Sequence, residues 1–143
     1  MRCDGSGGST VDRYYAGLSS SCWAGLERIP GVHGEITVLR ITGEIDLRCH
    51  AALRAAIAQG LHGSPGHLVV DLSAVTFCSA RGFRQIADGA AAAGTAGVGY
   101  AVSGLSPHLE HLALLVWDDG APPVFHTTTA AVSAISAEQP RLD

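Results

Sequence analysis

The sequence predicts an α/β domain in which a mostly parallel sheet of about five strands is covered by about four helices. Two features of the chain lead there. Short apolar runs with strand character alternate with segments whose apolar residues recur at helical spacing, and glycine or proline clusters mark nearly every change of period. The run Leu68-Val69-Val70-Asp71-Leu72 is apolar almost throughout, as a strand covered on both faces requires.

Residues 1–20 are rich in Gly, Ser and polar side chains and carry no periodicity, so they are expected to form a mobile tail, with Arg13, Tyr14 and Tyr15 as a small possible contact patch. Residues 21–137 then hold the domain, and 138–143 a C-terminal tail. Residues 22–29 can make a strand. Pro30-Gly31 and Gly34 supply turn chemistry before a second run, 35–42, which suggests an opening hairpin. In that second run Ile36, Val38, Leu39 and Ile41 place apolar groups on both faces.

After Gly43-Glu44-Ile45-Asp46 the period changes. Leu53, Ile57 and Leu61, with Ala52 and Ala56 in the same stripe, predict a helix stopped by Gly60 and Gly63-Ser64-Pro65-Gly66. Residues 67–72 form the central strand. The next helix starts near Ser79, carries Phe83, Ile86, Ala87 and Ala90 as its stripe, and ends in the glycines of 94–99. Residues 98–102 are a short strand. Ser106 as N-cap and Pro107 at the first helical position open another helix, with Leu109, Leu112, Leu115 and Val116 as its expected buried face. Asp118-Asp119-Gly120 breaks it, 122–126 reads as an edge strand, and Thr128 or Thr129 caps a final Ala-rich helix holding Val132 and Ile135. Open α/β sheets keep their functional groups in the loops at the carboxyl ends of the strands. That directs attention to residues 43–50 and 76–83.

Composition narrows the function classes. With 143 residues and 47% hydrophobic content the chain can bury one core. Charged residues are 15%, with 9 Lys and Arg against 13 Asp and Glu and a net charge of -4, so the basic stripe that nucleic-acid binding needs is missing. The longest apolar stretches, such as 112–117, fall far short of the roughly 20 residues that span a bilayer, and the first ten residues lack the apolar core of a signal peptide. A cytosolic location without a membrane is expected. Cys3, Cys22, Cys49 and Cys78 contain no C-x-x-C pair and read as free thiols; His108 and His111 make half a metal site at best, so no metal is expected. There is no G-x-S-x-G elbow, P-loop or H-E-x-x-H, and the 94–99 glycines precede a strand where a dinucleotide site needs them to follow one. The chain therefore reads as a non-enzyme without a cofactor.

The segment Ile41-Thr42-Gly43-Glu44-Ile45-Asp46-Leu47, then Leu53, then Leu68 to Phe77 as LVVDLSAVTF, then Gly82, closely resembles the STAS domain of anti-sigma factor antagonists. Val102-Ser103-Gly104-Leu105-Ser106-Pro107 with Leu112 is similar to the family's fourth strand and third helix. The resemblance covers about 22–135. It implies a module that binds an anti-sigma factor or related serine kinase, and so frees a sigma factor, through the 43–50 loop with Asp46 and Cys49 and the 76–83 loop with Cys78, Ser79, Ala80, Arg81 and Gly82. In the family that loop reads aspartate, serine, then serine or threonine, then glycine, and the first hydroxyl is phosphorylated. Here it reads Cys78-Ser79-Ala80-Arg81-Gly82. Aligned on Gly82, the aspartate position is Ser79, the phosphoacceptor position is Ala80, and the next is Arg81.

Alanine cannot accept a phosphoryl group, so the addition of about -1.5 to -2 charge at this helix start is impossible at Ala80. Ser79 keeps a hydroxyl one position earlier, either as a displaced acceptor or as the helix N-cap. Arg81 adds a cation where the helix dipole disfavours one, pointing into solvent or toward an acidic partner group. Asp46 either faces the partner or caps the helix beginning near Arg48. Cys49 and Cys78 lie beside helix starts, which favour the thiolate, so a thiol-based redox-sensing interaction module is the second reading.

Overall fold

The computed structural model describes residues 12–30, 34–62 and 66–137. Six strands form one sheet: β1 (Asp12–Ser19), β2 (Cys22–Ile29), β3 (Glu35–Ile45), β4 (Gly66–Cys78), β5 (Gly99–Ser103) and β6 (Val124–Phe125), in spatial order β1-β2-β3-β4-β5-β6. β1, β2 and β3 pair antiparallel; β3, β4, β5 and β6 pair parallel. Helices α1 (His50–Leu61), α2 (Ala80–Ala96), α3 (Pro107–Trp117) and α4 (Thr128–Ala137) follow β3, β4, β5 and β6.

The α/β expectation holds, with one strand more than expected. Residues 12–19, read from sequence as part of a tail, form β1 on the edge of the sheet, while residues 1–11 lie outside the described residues. The correction has a physical cause. β1 has no helix to announce it, and its ladder is supplied by β2, with Tyr14 opposite Leu26 and Tyr15 opposite Gly25. Tyrosine favours such a pleated surface, but that preference is legible only once the partner is known.

The two faces of β3 were visible in its apolar pattern. Leu39 and Ile41 join the larger core, under α1, α2 and α3, where Leu53, Ile57, Phe83, Ile86, Leu109 and Trp117 are buried. Ile36 and Val38 join Val69 and Ala101 against Ala131 and Ile135 of α4 on the other face. In α3 the buried face is Leu109, Ala113 and Trp117; Leu115, expected inside, is 70% exposed. Trp117 decides the rotation, because its indole N–H donates to the Phe83 carbonyl at 2.7 Å and its ring meets Phe83 edge-on at 5.8 Å. At α4 the cap is Thr127, whose Oγ1 accepts from Ala130 N–H at 3.0 Å, while Thr128 turns inward to share a 2.8 Å hydrogen bond with Ser103. Neither Thr128 nor Thr129 fills the cap position.

Asp71 interrupts the apolar run of β4 for a structural reason. Its side chain is 1% exposed, receives Arg40 Nε at 2.8 Å from the neighbouring strand, and accepts from Ser73 N–H and the Ser73 hydroxyl. Burial pushes the Asp71 carboxyl up, but the bonds from Ser73, Arg40 and Thr128 outweigh it and hold the group below its ordinary value.

Candidate functional site

β3 and β4 both run past the apolar segments that announce them, and their carboxyl ends lie side by side. Glu44 pairs with Phe77 and Ile45 with Cys78, after register shifts between Arg40 and Thr42 and between Gly43 and Glu44. Such bulges re-aim side chains at the end of a ladder. Gly43 lies at φ 104°, and a side chain there would collide with the Ser21 carbonyl, so this bend requires glycine.

The two loops expected to carry function are joined by hydrogen bonds. Ser79 N–H donates to the Ile45 carbonyl at 2.9 Å. Ser79 Oγ accepts from Gly82 N–H at 3.1 Å and shares a 2.7 Å hydrogen bond with His50 Nε2 from the first turn of α1. Ser79 is thus the N-cap of α2. His50 is buried and had no signal in the sequence, because one histidine at a helix start has no periodicity to mark it.

Asp46 caps the 3-10 turn Leu47–Cys49: Oδ1 accepts from Arg48 N–H at 3.0 Å, and Oδ2 from the Arg48 guanidinium at 3.0 Å. The hydrogen bond from Arg48 holds its carboxyl below the ordinary range. Arg81 and Ala80 are exposed on the first turn of α2. Leu47 and Phe77, which composition did not single out, are 78% and 47% exposed. Exposed large apolar residues at the carboxyl edge are the signal that only the structure could give.

Cys49, Cys78 and Gly82 were expected among the contact residues, and all three are buried. They shape the edge from beneath. Gly82 has no room for a side chain: a Cβ would stand 2.6 Å from Ile45 Cγ2 and 2.9 Å from Cys78 Sγ. Burial also bears on the thiol of Cys78. Burial, with the Cys49 thiol nearby, pushes Cys78 up to about 12, and the same two causes push Cys22 up to about 12. The helix start is outweighed by the lost hydration of the thiolate. Cys3 lies outside the described residues.

Among the described residues no cluster of three or more His, Cys, Asp or Glu is arranged to hold a metal ion, and no helix is long and apolar enough to cross a membrane.

The family described as "Mlab, STAS domain" matches residues 31–118, and the chain belongs to the STAS domain family. Over 55 residues it is 46% identical to the anti-sigma-F factor antagonist RsfB of Mycobacterium tuberculosis, a match covering 38% of this chain and 45% of that protein. The match thus spans less than half the length of that relative. The crystal structure of an anti-sigma factor antagonist from Mycobacterium paratuberculosis superposes with a TM-score of 0.67 at 27% identity, covering 84% of this chain and 97% of the other. The anti-sigma factor antagonist SpoIIAA in its unphosphorylated form shares the fold, at TM-score 0.61 and 14% identity, over 77% of this chain and 95% of that one.

Proposed function

We propose that this chain is an anti-sigma factor antagonist that docks onto a serine-kinase-type anti-sigma factor in the cytoplasm, and that it does so without a phosphoserine switch. It acts by binding and catalyses nothing. The observation that carries the reading is the joined carboxyl edge of β3 and β4, where Leu47 and Phe77 stand exposed beside Asp46 and Arg81. Exposed apolar side chains flanked by charges have the composition of an interface centre with its polar rim. The likeness to two mycobacterial antagonists, one of them over nearly its whole length, supports the same assignment.

The loop chemistry supports a docking surface that is permanently available. Ala80 has no hydroxyl. Ser79 Oγ is already engaged by Gly82 N–H and by His50, so its hydroxyl is committed within the fold. Arg81 leaves a fixed cation for an acidic group on the partner.

The reading is tested by measuring affinity for a purified anti-sigma factor of the encoding organism with Leu47→Ala and Phe77→Ala variants. Each is expected to weaken binding by about tenfold or more while melting as the parent does, since a central apolar anchor is worth more than about 1 kcal/mol and exposed positions hardly affect stability. Unchanged affinity in both variants would place the interface elsewhere.

A further inference from the structure

Away from the docking edge, α1 and α2 leave a groove of about 500 Å³ between them, within the usual range of small-molecule sites of about 300–1,000 Å³. α1 contributes Arg54, Ile57, Ala58 and Leu61; α2 contributes Arg81, Arg84, Gln85, Asp88, Gly89 and Ala92. Both sets recur at helical spacing, so each helix turns one continuous face to the groove. The chemistry is divided along it. Arg81 is the second residue of α2, and Arg54 and Arg84 are the fifth residues of α1 and α2, while Ile57, Leu61, Gly89 and Ala92 line the part toward the opposite ends.

Three features mark this as a built site. None of the three arginines forms an ion pair among the described residues, and all three are exposed. Arg81 also stands in the first turn of α2, where the macrodipole disfavours a cation, so stability alone does not account for it. Deeper in, Gln85 Oε1 is buried and receives no hydrogen bond among the described residues, an acceptor turned into the protein without a donor.

We propose that this groove binds a phosphate monoester whose organic part is apolar. Three arginines against the single carboxylate of Asp88 leave two positive charges, matching a phosphate group of about -1.5 to -2. Guanidinium forks pair with phosphate oxygens two at a time. The organic part lies over Ile57 and Leu61. The site is separate from the docking edge except at Arg81, and its occupancy does not depend on any partner.

The test is an amide-resolved NMR titration of the full chain with phenyl phosphate, inorganic phosphate and benzyl alcohol at constant ionic strength. Phenyl phosphate is expected to shift the amides of Arg54, Arg84 and Gln85 and to saturate; inorganic phosphate should bind the same arginines more weakly, and benzyl alcohol should leave them unmoved. Arg54→Ala and Arg84→Ala should each weaken phenyl phosphate about tenfold, the loss of one charge-assisted hydrogen bond. Asp88→Asn, which removes the opposing charge, should tighten it. Shifts that never saturate, affinity unchanged in both arginine variants, or weaker binding to Asp88→Asn would each overturn the proposal.

Discussion

Ser79 is the residue that joins the two loops at the carboxyl edge. Its Oγ accepts from Gly82 N–H and shares a hydrogen bond with His50, so one hydroxyl fixes the start of α2 and ties it to α1. Replacing Ser79 by Ala should therefore lower stability by about 1 kcal/mol, the usual worth of an N-cap, as measured by urea unfolding. An unfolding midpoint equal to the parent's would mean that the cap is replaced by water at no cost. The capping role was open to sequence reasoning because Ser79 directly precedes an apolar stripe of helical period. The His50 partner was not, since it comes from another helix, 29 residues earlier. The same asymmetry applies to the thiols: their place beside helix starts could be read along the chain, whereas the burial that raises Cys78 depends on the packing of distant elements.

At the scale of elements, the periodic ones were legible and the edges were not. β2 and the starts of β3, α2 and α3 fall where turn residues and apolar spacing place them, because each signal is local. β1 and the last six residues of β4 depend on ladders from neighbouring strands, and Leu115 is exposed because Trp117 sets the rotation of α3. Gly82 is a tight junction between α2 and the ends of β3 and β4. Gly82→Ala should cost about 1–3 kcal/mol through overpacking against Ile45 and Cys78, visible as a lower denaturation midpoint with an unchanged m-value. Asp71 joins β3, β4 and α4 in a different way. Its folded value is depressed, so the stability it contributes is present above the unfolded carboxylate value of about 3.9 and is lost as pH falls through the lower folded value. Acid titration of stability should accordingly be shallower below about pH 4 for Asp71→Asn than for the parent, although the variant is less stable at neutral pH. Parallel curves would show that Asp71 ionisation is not linked to folding.

Across the whole molecule, the sheet order brings the ends of β3 and β4 together at one edge, and it is there that we propose the interface lies. The loops could be named from the chain, because alternating strands and helices must put them at the carboxyl edge. Which side chains stand outward could not: Leu47 and Phe77 belong to the surface while Cys49 and Cys78 belong to the core, and only the bulged ends of the strands decide it. The proposed function requires that this edge bind an anti-sigma kinase and not be switched off by phosphate. The direct measurement is to form the complex with the purified kinase, add ATP and magnesium, and follow both the amount of complex and the intact mass of this chain over time. The account predicts an unchanged mass and a complex that persists. A chain that gains one phosphoryl group on Ser79 and is released as it does so would contradict it.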